Sequence, residues 1–352
     1  MVLTEILKDA LKKQASDIFI VSGTSIGYRI SGKIVRLSDD EILLPDDTNI
    51  LIRQIFEMAG YSKDQIQPDS KNEYDFSFSM AGLGRFRANI YRQRGSLAAV
   101  LRTVMYDLPD YKSLHIPEKI MNLADTKKGI VLITGSAGSG KSTTLTCMLD
   151  KINATRQGHI ITIEDPIEFL HRHKKCIISQ REINIDARDY VKALRAALRQ
   201  SPDVILVGEM RDYETMNIAM TAAETGQFIL STLHTIGAAN TIDRVIDVFP
   251  SSQQHQIRIQ LAMVLQAVIS QQLIPTVDGG LIPAFEIMNV NNAVRTMIRE
   301  QKTHQIDTII QSSEGMQTMD TDILRLYKEG IISKESAINY ASNSEMMRKR
   351  IG

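Results

Sequence analysis

The chain lacks tryptophan, holds only two cysteines among its 352 residues, and is poor in aromatic residues at 5%. Two thiols, Cys147 and Cys176, cannot build a disulfide framework or a four-cysteine zinc site, so no zinc is expected. Charge of one sign is also missing: 41 Lys and Arg stand against 41 Asp and Glu. A bulk electrostatic grip on nucleic acid or an anionic membrane is therefore not expected, and no basic stripe carries stacking aromatics. No apolar run approaches the ~20 residues of a membrane span. The opening MVLTEILKDALKKQ is broken by charge every few residues and shows no cleavage signal. These absences lead us to expect a soluble, cytosolic, reduced chain. At 43% hydrophobic it can bury ample core, and its length suits two domains at roughly 100–200 residues each.

What is present falls into two textures. Residues 1–106 read as α+β. Leu3, Ile6, Leu7, Ala10 and Leu11 share a helix face. Short strands are expected from Asp17, Gly27 and Lys33, a helix over 46–59 ending at Gly60, and further strands at 74–80, 84–92 and 97–104. Residues 107–115, with a proline and little pattern, read as a linker. From 116 to 352 apolar strands alternate with helices. The strands GIVLIT (129–134), HIITI (159–163), DVILV (203–207) and QFILST (227–232) suit a parallel sheet buried on both faces. Helices are expected at 186–199 and 212–225. Beyond 250 the chain reads as mostly helical, with Ile257, Leu261, Val264, Leu265 and Val268 on one stripe.

Gly135-Ser136-Ala137-Gly138-Ser139-Gly140-Lys141-Ser142 matches G-x-x-x-x-G-K-[ST] between an apolar strand and a helical stretch. Such a loop turns backbone N–H groups inward around phosphate oxygens, and the helix start adds a favourable dipole. Nucleotide binding is expected over Gly135–Ser142 and Thr143. Lys141 should reach the terminal phosphates and Ser142 should hold Mg²⁺.

Ligands of an open parallel sheet sit beyond the carboxyl ends of its strands. Glu164-Asp165-Pro166-Ile167-Glu168 follows one strand, Gly208-Glu209-Met210-Arg211-Asp212 another, and Leu233-His234-Thr235 a third. Hydrolysis of a nucleoside triphosphate needs one carboxylate for the metal shell and one to orient or deprotonate water. Glu209, ending an apolar strand, is assigned to the metal. Glu164 is assigned to the water, and His234 to the γ-phosphate. The acidic residues Asp165, Glu168 and Asp212 are equally well explained as helix caps.

An arginine supplied by a neighbouring subunit would also assist hydrolysis. Arg85, Arg87, Arg92 and Arg94 are the candidates. Strand alternation places Phe86, Ala88 and Ile90 toward a core, with Arg85 and Arg87 opposite. Arg92 and Arg94 share the core-face parity, so they must lie beyond the core edge or after a bulge.

These segments resemble the type II/IV secretion and pilus motor ATPases, which are hexameric RecA-like P-loop NTPases. ITIEDPIEF (161–169) resembles their acidic box, ILVGEMRD (205–212) their Walker B segment and STLHT (231–235) their histidine box; AAETG, TIDRVIDVFP and LQAVISQQL are similar too. Ala293-Val294-Arg295-Thr296-Met297-Ile298-Arg299-Glu300 resembles the A-I-R-N-L-I-R-E motif of the pilus retraction ATPases, and no counterpart of the zinc element or extra N-terminal domain of extension and type II secretion ATPases is seen. The resemblance implies a PAS-like N-terminal domain packed on the neighbouring subunit's RecA-like core. It implies ATP and Mg²⁺ as ligands, Glu164 as catalytic base and Glu209 as Walker B acid. It further implies a homo-hexamer at the cytoplasmic face of the inner membrane, working on a membrane platform protein to drive pilus retraction. An extension or type II secretion ATPase is the alternative, with a RecA-like nucleic-acid motor behind it. Three departures stand out: GSAGSGKS for the usual GPTGSGKS, Gln227 where a further histidine is usual, and ASDIFI (15–20) for A-S-D-L-H-L.

Overall fold

A computed structural model describes residues 2–30, 32–38, 41–61, 73–80, 83–104 and 108–352. The chain divides into two compact units: Met1–Asp107 with Glu168–Leu170, and Leu108–Ile167 with His171–Gly352. The expected end of the first domain at 105–106 and the first linker residue, Asp107, lie outside the described residues.

In the first unit the strands are β1 (Asp17–Ile20), β2 (Gly27–Ile30), β3 (Lys33–Arg36), β4 (Tyr74–Met80), β5 (Gly84–Gln93) and β6 (Ser96–Val104). They form an antiparallel sheet in the order β3-β2-β1-β6-β5-β4, so the first and last strands are neighbours. Two amphipathic helices belong to this unit, α1 (Leu3–Lys12) and α2 (Pro45–Met58). Pro45 opens α2 at a position where its missing N–H costs nothing. The Asp47 carboxylate accepts the Leu44 N–H at 2.8 Å. Phe86, Ala88 and Ile90 are fully buried, as alternation along β5 requires. Phe56 of α2 lies edge-on to Tyr61 and Tyr74 and tilted against Phe76, with centroids 5.1–5.4 Å apart.

The second unit is built on β7 (Gly129–Thr134), β8 (His159–Glu164), β9 (Ile177–Glu182), β10 (Val204–Val207), β11 (Phe228–Leu233), β12 (Leu265–Pro275) and β13 (Leu281–Asn289). Their order is β13-β12-β7-β11-β10-β8-β9. All neighbours run parallel except β12 and β13. Its helices are α3 (Glu118–Met121), α4 (Lys141–Thr155), α5 (Tyr190–Ala197), α6 (Tyr213–Glu224), α7 (Ala238–Asp247), α8 (Ser251–Val264), α9 (Asn292–Arg299), α10 (Ile306–Ser312), α11 (Met319–Lys328), α12 (Lys334–Tyr340) and α13 (Ser344–Ile351). Both faces of the sheet are covered. Ile130 and Leu132 join the core under α5–α9, while Val131 and Ile133 join the one under α3 and α4. That two-sided burial is why GIVLIT carries no polar residue before Thr134.

Two expectations need correction. The region after 250 is helical at its start and again from α9 onward, but two strands intervene: α8 ends at Val264, and Leu265 and Val268 of the expected helical stripe lie on β12. Positions four apart share a face in helix and strand alike, so the stripe could not separate the two. The segment between β8 and α5 also holds a strand, β9, whose Ser179, Gln180 and Arg181 give it the polar character of a sheet edge. Asp189 caps α5 by accepting the Lys192 N–H at 2.7 Å, so the helix begins at Tyr190 rather than 186. No helix among the described residues is long and apolar enough to cross a membrane.

Phe56→Ala should lower the stability of the first unit by about 3–5 kcal/mol, since it empties the centre of an aromatic cluster. Urea unfolding followed by far-ultraviolet circular dichroism measures it.

Candidate active site

β7 ends at Thr134, and the chain turns through Gly135–Gly140 into α4. Gly135, Gly138 and Gly140 have φ of +143°, +75° and +85°. At the first and last of these the surroundings also exclude a side chain. A Cβ on Gly135 would stand 2.2 Å from the backbone oxygen of Gln271, and one on Gly140 would stand 2.8 Å from that residue's Nε2. The loop is therefore pressed against β12. Thr144 of α4 donates its hydroxyl to Gln271 Oε1 at 2.8 Å, closing the same contact.

Ser136, Ala137 and Gly138 are exposed at the tip, whereas Lys141 is 7% exposed. Its Nζ donates to the carbonyls of Gly135 (2.9 Å) and Ser136 (2.7 Å), so the ammonium lies across the loop. No side chain caps the start of α4. The hydroxyls of Thr134 and Ser139 are buried with no hydrogen-bond partner among the described residues. Uncapped N–H groups, a buried orphan hydroxyl and an ammonium together fit a phosphate group. Ser142 and Thr143 are half-buried in the first turn of α4.

Strand register assembles the rest of the rim. Val207 pairs with Ile163 on one side and Ser231 on the other, and Leu233 pairs with Thr134. Glu164, Gly208 and Thr232 are thus level, Glu209 follows one residue on, and His234 stands beside the phosphate loop's first residue. Glu164 closes β8. Its Oε1 accepts from Thr162 Oγ1 at 2.6 Å and from Gln180 Nε2 at 3.3 Å. Glu209 has a largely buried side chain. Its Oε1 pairs with Arg211 Nε at 2.6 Å, and its Oε2 lies 3.4 Å from His234 Nε2. Hydroxyl and carboxylate oxygens such as those of Ser142 and Glu209 are the hard donors that magnesium takes. Asp212 is a helix cap, accepting the Thr215 N–H and hydroxyl.

Several residues at this rim have parts that the sequence alone did not assign. Tyr190 fills the space above Gly208: a Cβ there would stand 3.1 Å from its hydroxyl. Burial, and then the negative charges of Glu209, Asp165 and Glu164, push the Tyr190 hydroxyl well above its ordinary pKa, so it keeps its proton. Gln271, Gln180 and Thr162 are likewise recognisable only once the strands are aligned.

Of the four candidate arginines of the first unit, Arg85, Arg87 and Arg92 have local partners. Arg87 forms a two-pronged pair with Asp75 at 2.6 and 2.9 Å, which holds that carboxyl below its usual range. Arg85 donates to Ser79 Oγ, and Arg92 donates to Gly95 O at the β5–β6 turn. Arg94 sits in that turn at φ +48°. In the 293–300 segment, Val294 and Ile298 are buried and Met297 packs beside them, while Ala293, Arg299 and Glu300 are exposed. Arg295 Nε donates to the Ala262 carbonyl at the end of α8. Gln227 stands at the amino end of β11, seven residues and about 20 Å from His234. That departure is remote from the phosphate loop. Cys147 is buried in α4, its thiol pushed up to about 12 by burial and then by Asp150 and Asp110, as an inert packing residue requires.

A family model described as type II/IV secretion system protein matches residues 99–281. Over 339 residues the chain is 43% identical to the type IV pilus retraction ATPase PilT of Pseudomonas aeruginosa, covering 96% of this chain and 97% of that one. It belongs to the type II/IV secretion system protein family. It is an ATPase of that family. A twitching motility protein of Neisseria gonorrhoeae is 48% identical over 278 residues, 78% of this chain and 74% of its own. The solved structure of the pilus retraction motor PilT with bound ADP covers 99% of both chains at 44% identity, with a TM-score of 0.87.

Gly135→Ala should dislodge the loop from β12, since its Cβ meets a backbone atom that cannot swing away. Titration with a fluorescent ADP analogue should show at least a roughly tenfold weaker Kd.

Proposed function

We propose that this ATPase is the motor of type IV pilus retraction, a homo-hexamer acting at the cytoplasmic face of the inner membrane on a platform protein of the pilus machine. The observation that carries the reading is the full-length likeness to a pilus retraction ATPase, joined to one rim that holds Lys141, Glu164, Glu209 and His234. An N-terminal PAS-like domain over 1–106, a linker over 107–115 and a RecA-like ATPase domain over 116–352 complete it. The PAS-like reading is supported by the antiparallel sheet whose first and last strands are neighbours. Arginines 85, 87, 92 and 94 remain the candidates to complete a neighbour's site. Arg87 would first have to leave Asp75.

In the site, Lys141 leaves the loop carbonyls to meet the terminal phosphates, and the backbone of Gly135–Thr143 holds the rest of the triphosphate. Ser142 and Glu209 would hold magnesium, which when bound offsets the charge between the outer phosphates. Arg211 occupies one oxygen of Glu209, so that carboxylate changes partner when it takes this role. Glu164, its Oε1 fixed by Thr162 and Gln180, orients the attacking water and accepts its proton. His234 senses the γ-phosphate from the strand between β7 and β10. The exposed face of α9, with Arg299 and Glu300, is the part of the retraction-type motif open to a partner.

Lys141→Ala and Glu164→Gln should each cut ATP turnover by roughly a hundredfold or more, measured as phosphate release. In cells, deleting the gene should leave excess filaments that do not retract, and the Lys141→Ala allele should not restore movement. Loss of filaments instead would mark an extension or secretion ATPase, and stimulation of turnover by DNA would mark a nucleic-acid motor.

A further inference from the structure

The segment that carries His234 has no cap of its own. It runs through Thr235 and Ile236 to Gly237 and enters α7 at Ala238 with no local side chain on the first N–H groups. Those groups are taken from another part of the fold. Gly237 N–H donates to Ser270 Oγ at 3.0 Å, and Ala238 N–H donates to Glu286 Oε1 at 2.7 Å. Ser270 and Glu286 are directly paired across β12 and β13, so their side chains leave the sheet on one face side by side. Both are buried, at 0% and 7% exposure. An acidic side chain so deeply buried is uncommon without a specific task. The next residue on β12, Gln271, points to the opposite face and grips the phosphate loop and Thr144.

We propose that Glu286, with Ser270, is a positioning residue for ATP hydrolysis: it anchors the start of α7 and so holds His234 at its 3.4 Å approach to Glu209. The proposal rests on the role given above to His234. Its physical basis is the hydrogen bond that the Glu286 carboxyl oxygen accepts from the Ala238 N–H at the positive end of the helix; burial raises that carboxyl above its ordinary range, and the same N–H opposes the rise. Three residues of chain separate Ala238 from His234, too few to absorb a displaced helix start without moving the imidazole. Glu286 also borders a polar cavity of about 610 Å³ shared with Asp307 and Asp320, so shortening it widens an existing opening instead of voiding a packed core.

The test uses the full-length protein and steady-state ATP hydrolysis, with thermal melting as a fold control. Glu286→Ala should lower kcat by roughly ten- to a hundredfold while KM for ATP changes little. Glu286→Gln, whose amide oxygen still accepts the Ala238 N–H, should recover most of the loss. The decisive arm is the double variant. In a His234→Ala background, Glu286→Ala should cost nothing further, because its effect passes through the histidine. A loss that multiplies that of His234→Ala overturns the proposal, as does Glu286→Ala at full rate. His234→Ala at full rate would remove the histidine's role and this inference together, whereas an impaired His234→Ala beside a fully active Glu286→Ala removes this inference alone. Should Glu286→Ala melt far below the parent, Ser270→Ala is read by the same scheme.

Discussion

The constraint on which the site depends is the register of five parallel strands. β7, β11, β10 and β8 stop within two residues of one level because their hydrogen-bonded ladders are in step, from Thr134 beside Leu233 to Val207 beside Ile163. A slip of one residue on any of them would turn every side chain to the other face and move its terminal acid or histidine off the rim. β12 runs alongside β7 and fixes the phosphate loop from the flank. Four chemical groups that are far apart in sequence thus become neighbours through backbone geometry alone. The apolar strand interiors make that geometry stiff.

Within the rim, pairing keeps the carboxylates distinct. Glu164 takes hydrogen bonds from Thr162 and Gln180, both uncharged. Glu209 faces the guanidinium of Arg211 and the ring of His234. One carboxylate is thus held at one oxygen by a hydroxyl and an amide. The other lies between a guanidinium and an imidazole, one on each oxygen. Tyr190, kept protonated between them, adds an uncharged hydroxyl where a third charge would repel both.

Much of this was legible in the sequence, and the reasons differ by element. Strands buried on both faces announce themselves as apolar runs, so β7, β8, β10 and β11 were bounded within a residue or two. The phosphate loop carries its own signature because glycine is required where the chain passes Gln271 and where φ is positive. The acids and His234 could be placed because each directly follows such a run. The edge strand β9 could not, since one open side lets polar residues stand in it. β12 was hidden by a coincidence of period: Leu261 with Leu265, and Val264 with Val268, lie four apart in either structure. Glu286 and Gln271 were missed because their partners are more than forty residues away, at Ala238 and Thr144. No local pattern reports a contact of that kind.

That β12 is a strand has a consequence for how the second unit works. Consecutive side chains on a strand leave opposite faces, so Ser270 and Gln271 reach two different helices from one point in the sheet. Gln271 touches α4 and the phosphate loop; Ser270, beside Glu286, touches the entry to α7. A helix at this position would have to lie on one face and could serve only one of them. Two contacts thus leave the sheet one residue apart, one toward the phosphate loop's helix and one toward the histidine segment. β13, which supplies Glu286, runs on through Asn289 into α9, so the same pair of strands also joins the nucleotide rim to the segment 293–300.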